Sequence, residues 1–477
     1  MSSGKTIVKN TLWLTTGEVA SRLMMFFLTI LIARRLGDVI FGQYSYILAY
    51  VTLFSFIPDF GIYNLVCREL ARQKEKTAEY LSKIIPLKVI LGLGTIGVIA
   101  ATITLFGNDP EINRLIILAT LFTILFSFSE LFWAVYRAFE KMKYEAIAYI
   151  LERVFIIGFS LYAIFGPVAN KLGGIILAYV LANIILFLLN FTFIQKRFAR
   201  FRLKIDPRFW SKILSESWPF ALSTVFITIY FSLDSVMLGK LKGDEVVGWY
   251  NAAYRIIFFL LIFINTVAKA VYPVISRLYT ENQDRLSNFV DKYAKLMTII
   301  ALPLGFGGTL LGSKIIILIF GQEYTNGILA FQILIWSVVI MTIRVVCGRC
   351  LQACNQAKMH LASVGIGAGA NILLNIILIP RFSLNGAAVA TVASELVVFL
   401  VMYWRVQKFL KIRFFRYTAK SLIASLVMVL GLSFIIQLNL FILIILGTIV
   451  YFAAMLLIKG IDKNDLAAIK EVIGSRN

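Results

Sequence analysis

The chain has 477 residues, of which 60% are hydrophobic, 14% aromatic and only 15% charged, and its formal net charge is +22. A soluble domain carries about 25% charged residues, and its demand for apolar core saturates with size, so this composition excludes a soluble globular protein and requires a bilayer. The positive charge is scattered over short loops with no continuous basic face, which argues against a nucleic-acid partner, and a single histidine, His360, excludes a multi-histidine metal site.

Lys5 and Lys9 precede a long apolar run with no small-residue cleavage site after it, so the first helix is expected to serve as its own insertion signal. A membrane-spanning helix needs roughly 20 mostly apolar residues. Fourteen such runs follow in chain order: 11–33, 40–66, 84–106, 112–136, 146–165, 172–194, 216–239, 246–273, 290–311, 326–348, 360–379, 385–405, 419–437 and 439–458. The last two are separated by "QLN" at Gln437 to Asn439, the signature of a tight hairpin.

Placing the N-terminus in the cytoplasm makes alternate loops internal. Those loops read "CRELARQKEKTAEYLSK", "RAFEKMKYE", "QKRFARFRLKIDPRFWSK" and "RVQKFLKIRFFRYTAK". About 32 Lys and Arg fall on that side and about 8 on the other, the bias expected of cytoplasmic loops. An even number of spans returns the C-terminus, with Lys459, Lys463, Lys470 and Arg476, to the cytoplasm as well. The expected location is the cytoplasmic membrane, with both termini inside.

The chain repeats itself. "GDVIFGQY" from Gly37 aligns with "GDEVVGWY" from Gly243, "RAFEKMKYE" from Arg137 with "QACNQAKMH" from Gln352, and "KLGGIILAYVLAN" from Lys171 with "SLNGAAVATVASE" from Ser383. The offsets are similar, 206 to 215 positions. Each match is weak alone, but together they describe two sets of six spans in parallel orientation, an architecture in which transporters place the substrate path between the halves. The expected fold is therefore an all-α polytopic membrane protein of about 14 transmembrane helices. Its expected parts are a lobe at 1–205, a pseudo-symmetric lobe at 206–410, and two additional helices with a tail at 411–477. In the repeated turns, Asp38 is expected to cap the second span. Gly37 and Gly42 are expected to allow a reversal and close packing. Tyr44, Tyr46, Trp249 and Tyr250 are expected to anchor at the interface.

With "NTLWLTTGEVASRLMMFFLTILIARRLGDVIFGQYSY", twelve repeated spans plus two, and the second "LGKLKGDEVVGWYNAAYR", the chain resembles the polysaccharide transporter family. These are O-antigen and oligosaccharide flippases of the multidrug/oligosaccharidyl-lipid/polysaccharide exporter superfamily. The resemblance covers essentially the whole chain, and its motifs are diffuse and nearly silent on substrate. It implies a non-enzymatic flippase that moves a polyprenyl-(pyro)phosphate-linked oligosaccharide from the cytoplasmic to the outer leaflet by alternating access. Its partners would be that lipid-linked substrate, membrane lipids, a coupling proton or sodium ion, and polysaccharide-assembly proteins. No cofactor is implied.

An ionisable group at the bilayer centre costs roughly 2.5–3.5 kcal/mol on insertion scales unless it faces protein or water, so charges within spans are the best functional clues. The basic residues there are Arg22, Lys88, Arg153, Arg255, Lys269, Lys295 and Arg344; the acids are Glu18, Asp59, Glu130, Glu152, Asp234 and Glu395. Arginine suits a phosphate because its planar fork gives two charge-assisted hydrogen bonds and keeps its proton. Arg22, Arg255, Arg344 and Arg153 are the candidates for the anionic head, and Arg22 and Arg255 lead because the resemblance extends to lipid II flippases with cavity arginines on the first and eighth helices. Glu18, Asp59, Glu130, Asp234 and Glu395 are candidates for ion coupling or for charge pairing. Asp59 follows Pro58 and precedes Gly61, so the second span is expected to break there. Lys88, Lys269 and Lys295 are expected to snorkel to a membrane surface. Arg153 and Glu152, being neighbours, diverge by about 100°, so at most one faces a central cavity.

Other signals carry less. Cys347, Cys350 and Cys354 form a packing stripe at i, i+3 and i+7, and tetrahedral zinc would need a fourth ligand from Cys67 or His360. "GLGTIG" from Gly92 lies inside a span with no strand before it, and no Walker A sequence supports ATP hydrolysis. A multidrug exporter, which would favour an acid-lined cavity for organic cations, is the alternative within transport. An integral-membrane glycosyltransferase or ligase would need a substantial external loop with catalytic residues, and the loops assigned outside, such as "GNDPEIN" and "GPVANKL", are short.

Overall fold

A computed structural model describes residues 4–107 and 109–461, with the backbone alone at 4–8, 106 and 415–417. Lys463, Lys470 and Arg476, expected at the cytoplasmic side, lie outside the described residues. The chain is α-helical, with no strand among the described residues. In order, the helices are α1 (Gly4–Leu53), α2 (Phe56–Asp59), α3 (Ile62–Arg72), α4 (Thr77–Phe106), α5 (Pro110–Ala138), α6 (Met142–Phe165), α7 (Lys171–Arg197) and α8 (Pro207–Lys242). They continue as α9 (Asp244–Glu281), α10 (Gln283–Phe320), α11 (Ile328–Ala353), α12 (Ala357–Val406), α13 (Phe414–Ser433) and α14 (Leu440–Leu457).

Ten of these helices are long and apolar enough to cross a membrane, and residues 418–433 of α13 form a shorter apolar helix. The spans keep much of their apolar surface outside the protein: Leu105, Phe434 and Leu457 are more than 80% exposed. That is the surface lipid tails would cover, and this is a multi-pass membrane protein.

Two of the helices each contain a pair of the spans read from the sequence. α1 is broken at Gly37, with φ 80° and ψ 175°, and α12 at Ser383, with φ 54° and ψ −135°. Gly243 between α8 and α9 adopts φ 95° and ψ 173°, nearly the Gly37 conformation. That region is open to glycine and almost closed to other residues. The aligned glycines therefore make the same turn. Asp38 accepts the N–H of its neighbour Val39 at 2.9 Å, one residue on rather than at the second or third helical N–H that a cap takes. The second span is broken again, as the Pro58–Asp59 sequence predicts: α2 is one turn long, and Phe60 (φ 48°) and Gly61 (φ 73°) are both left-handed. At the "QLN" hairpin, Asn439 caps α14 by accepting the N–H of Phe441 at 2.9 Å.

The chain packs as two compact units, Met1–Gly248 and Trp249–Asn477. In the first, α6 lies against α1 and α7, α5 against α3 and α7, and α8 against α1 and α3. Its core gathers Leu65, Leu81, Phe132, Trp133, Tyr136 and Leu186. In the second, α11 lies against α10 and α12, and α13 and α14 pack on each other and on α10. There the Tyr451 hydroxyl donates to the Ile299 carbonyl at 2.8 Å.

Within the first unit the two repeated turns meet each other. A Cβ on Gly42 would overlap the carbonyl of Asp244, and a Cβ on Gly248 would overlap the carbonyl of Asp38. The contact is reciprocal, each turn offering its glycine to the other's aspartate backbone. Gln43 adds a bond from Nε2 to Asp244 Oδ2 at 2.9 Å. Packing here also displaces the tyrosines from their expected interface role. Tyr44 is buried with its hydroxyl bonded to that of Tyr179 at 2.5 Å, Tyr46 lies against Gly239, and Tyr250 has no exposed surface.

Replacing Gly42 by Ala should lower the unfolding midpoint of the detergent-solubilised protein, by overpacking worth about 1–3 kcal/mol. Gly94→Ala, at a position with nothing within 4 Å of the added Cβ, should leave it unchanged or slightly raised. Thermal unfolding of the two variants checks both.

Candidate functional site

The charges inside the first unit form a polar belt of two bonded parts. On α1, Glu18, Ser21 and Arg22 are three and four residues apart and share a face. Arg22 Nη2 bonds Glu18 Oε1 at 2.7 Å, and the Arg22 side chain is 51% exposed. From α6, Arg153 Nε donates to Ser21 Oγ at 2.9 Å, and its Nη1 reaches Glu152 Oε1 at 3.3 Å. The long arginine thus bridges back to its own neighbour despite the angular divergence, with Glu152 fully buried and Arg153 at the edge. Asn183 of α7 donates to the same Glu152 oxygen at 3.3 Å. The other carboxylate oxygen of Glu152 is buried without a hydrogen-bond partner among the described residues.

The second part of the belt lies at the break between α2 and α3. Lys88 does not snorkel. Its side chain has no exposed surface, and Nζ donates to Asp59 Oδ1 at 3.0 Å. Lys88 stands eleven residues into α4, about 16 Å along the axis, too far for its side chain to reach the start of the helix. The same Asp59 oxygen accepts the N–H of Tyr63 at 3.3 Å, tying the ion pair to the first turn of α3. The break itself is held against α8, because a Cβ on Gly61 would lie 2.6 Å from both the Ser217 carbonyl oxygen and Phe220 Cβ. Glu130 of α5 is within electrostatic range of Asp59, Lys88, Glu152 and Arg137, residues of both parts. At the end of α5, Arg137 grips the buried Glu145 through two bonds, 2.7 and 2.8 Å, with its guanidinium 5.3 Å from the Tyr63 ring.

The remaining candidates are elsewhere. Asp234 on α8 is fully buried and accepts the N–H of Ser235 at 2.8 Å. In the second unit, Arg344 of α11 pairs with the buried Glu395 of α12 at 2.8 Å. Next to Glu395, Ser394 accepts from Asn371 at 3.3 Å, which in turn accepts from Asn375 at 3.0 Å, a chain that crosses the break at Ser383. Arg255 on α9 is half-buried, and its Nε is enclosed without a hydrogen-bond partner among the described residues. Lys269 is exposed on α9, and Lys295 half-buried on α10. Cys347, Cys350 and Cys354 pack in an apolar core with Val346, Leu351 and Met402.

Sequence reading passed over Lys88 as a binding or pairing residue, and it left Ser21, Asn183 and the Arg137–Glu145 pair unremarked. The signal for Lys88 was its depth counted from the start of the helix rather than from the first apolar residue. The others become visible when helices are packed.

A family model described as polysaccharide biosynthesis protein matches residues 7–279, more than half of the chain. The chain belongs to this family. A second model, MatE, matches residues 219–377. Among relatives of this family member, a Haloferax volcanii protein named as a probable low-salt glycan biosynthesis flippase is 29% identical over 244 residues, 49% of this chain and 51% of that protein. The chain thus spans about half the length of that relative. An Escherichia coli protein named as a putative O-antigen transporter is 22% identical over 414 residues, 84% of this chain and 97% of that protein. Among solved structures, a lipid II flippase, MurJ, in an inward closed conformation has the same fold, with a TM-score of 0.77 at 16% identity over 93% of this chain and 98% of that one.

The Asp59–Lys88 pair gives a stability prediction. Removing one partner of a buried pair costs about 3–5 kcal/mol, whereas replacing both is often nearly neutral. Lys88→Met should therefore lower the unfolding midpoint sharply, and Lys88→Met with Asp59→Asn should recover most of the loss. A single variant as stable as the parent would show that the pair carries no such role.

Proposed function

We propose that this protein is a flippase. It moves a polyprenyl-(pyro)phosphate-linked oligosaccharide from the cytoplasmic to the outer leaflet of the cell membrane by alternating access, for surface glycan synthesis. It is a transporter, without chemistry on a covalent bond. The observation that carries the reading is the order of charges across the belt. Cations and acids are nearly balanced in number, but in each arginine pair the acid lies behind: Glu145 and Glu152 have no exposed side chain beside Arg137 at 34% and Arg153 at 16%, and Glu18 at 33% stands beside Arg22 at 51%, whereas in the Lys88–Asp59 pair the lysine is the buried partner. A half-exposed arginine midway along a span requires water or an anion in front of it. A phosphate or pyrophosphate is the part of such a cargo that lipid tails will not dissolve, and the arginine fork matches it.

Arg22, Arg153, Arg255 and Arg344 are the proposed contacts for the anionic head. The names of the Haloferax and Escherichia relatives support a glycan cargo. The MatE match keeps a multidrug-type exporter as the second reading, but the cations at the exposed edge of the belt favour an anionic cargo. With both termini in the cytoplasm, the basic loops would face the compartment where lipid-linked glycans are assembled, and polysaccharide-assembly proteins would be neighbours there.

Alanine at both Arg22 and Arg255 should abolish transport of a lipid-linked oligosaccharide in proteoliposomes while the thermal unfolding profile is kept. Full transport by that variant would refute the site.

For coupling, Asp59 and Glu395 are held in ion pairs and Glu18 is bonded to Arg22, so Glu130 is the proposed carrier of a proton or sodium ion, with Asp234 the second candidate. Glu130 lies in the field of Asp59, Lys88, Glu152, Arg137 and Tyr149, a set whose charge balance changes when one cation is added or lost. Glu130→Gln should leave substrate binding in place and remove the dependence of transport on an imposed proton or sodium gradient. A variant that responds to the gradient as the parent does would exclude Glu130.

A further inference from the structure

The loop between α7 and α8 holds its cations in an unusual way. Gln195 clasps Phe201 through both sides of its amide: Nε2 donates to the Phe201 carbonyl and Oε1 accepts the Phe201 N–H, each at 3.2 Å. Phe198 between them is set into an aromatic cluster, with its ring centroid 5.2 Å from Phe139, 5.5 Å from Tyr136 and 5.8 Å from Phe193. Downstream, the Lys204 N–H donates to the Ser82 carbonyl at 2.9 Å and Trp210 Nε1 to the Lys83 carbonyl at 2.7 Å. The loop is therefore fastened at both ends.

Lys196, Arg197, Arg200 and Arg202 are exposed on it, and none is paired with a carboxylate among the described residues. Asp206 is the one acid between residues 195 and 212, and it is committed elsewhere. It accepts the N–H of Phe209 at 3.0 Å as the cap of α8 and pairs with Lys83 at 3.0 Å, and these two contacts hold its carboxyl below the usual range. Gln195, Lys196, Arg200, Phe201 and Arg202 line an open cavity of about 590 Å³. Beside it, Leu203 and Ile205 are 64% and 73% exposed and alternate with Arg202 and Lys204.

We propose that this loop binds the phosphate head groups of anionic phospholipids, with Lys196, Arg200 and Arg202 around the phosphate and Leu203 and Ile205 in the acyl boundary. The positive-inside bias explains why cations occur in such a loop. It does not explain a loop clasped into one conformation with its cations left unspent. Pre-organisation of that kind lowers the cost of binding, because little backbone freedom remains to be lost. The exposed aliphatic pair argues for a lipid rather than a soluble phosphate. This site is independent of the cargo proposed above.

The test uses the full chain in detergent, titrated with phosphatidylglycerol, phosphatidylcholine or inorganic phosphate, with bound lipid counted by native mass spectrometry. Phosphatidylglycerol should bind in preference to phosphatidylcholine. Each cation near a lipid surface contributes about 1 kcal/mol, or about fivefold, so Lys196→Gln with Arg200→Gln and Arg202→Gln should weaken phosphatidylglycerol binding roughly a hundredfold. A charge-matched variant at other exposed cations, Arg72→Gln with Lys212→Gln and Arg277→Gln, should bind as the parent does; equal losses in both variants would reduce the effect to net charge and overturn the site. So would undiminished binding by the loop variant, equal binding of the two lipids, or displacement of phosphatidylglycerol by inorganic phosphate at equal concentration.

Discussion

A charged lysine with no exposed surface inside a membrane-spanning segment is costly unless a carboxylate stands within bonding distance, and Lys88 has Asp59 at 3.0 Å. A charge so placed cannot be relieved by water or by reaching the membrane surface. The pair therefore fixes where α4 stands relative to α2. It also explains why the helix break survives. An unwound turn exposes peptide groups that would be costly in an apolar medium. Here Asp59 accepts from Tyr63 at the start of α3, and Gly61 brings the broken backbone directly against α8. The break is thus sealed by protein on both sides, and the same carboxylate that holds the lysine helps to seal it.

From that anchor the other charges follow in order. Glu130 stands within the field of the pair and of Glu152, one oxygen of Glu152 is held by Arg153 and Asn183 while the other has no hydrogen-bond partner among the described residues, and Arg153 reaches Ser21 one residue before Arg22. Each acid paired with an arginine on this path is more buried than that arginine, with Glu152 against Arg153 and Glu145 against Arg137 as the clearest cases. Burying the carboxylates behind the guanidinium groups neutralises the interior while leaving cations in front. The alternative order, with acids outermost, would present the opposite charge from the same composition, so the residue count alone decides nothing about the ligand.

This is also where legibility in the sequence ends. Spans were readable because apolar runs have a length fixed by the bilayer. The turns at Gly37 and Gly243 were readable because their conformation is close to exclusive to glycine, and the break at Asp59 because proline and glycine bracket it. Lys88 was misread because snorkelling depends on where a helix begins, and α4 starts at Thr77, before the first apolar residue of its span. Tyr44 and Tyr250 were misread because a tyrosine near a helix end looks the same whether lipid or another helix covers it. What packs against what is a property of pairs far apart in the chain, and one sequence holds no record of such pairs.

The repeat sharpens the point, because it keeps the turn at Gly37 and Gly243, with its aspartate, but not the charge at Asp59. Gly37 and Gly243 share a conformation, and Gly42 and Gly248 make reciprocal contacts with Asp244 and Asp38. The same alignment of the two halves places Asp59 on Asn265 and Pro58 on Ile264. There α9 runs unbroken from Asp244 to Glu281, and the Asn265 amide donates to the carbonyl of Leu261, one turn back in its own helix. A neutral amide satisfied within its own helix needs neither a lysine partner nor an unwound turn. The break and the buried ion pair therefore occur together in the first half and are absent together at the aligned place in the second. Duplicated backbone geometry gives the two halves a common frame. At this place the charges set into that frame differ, an ion pair at a helix break in the first half and a self-satisfied amide in an unbroken helix in the second.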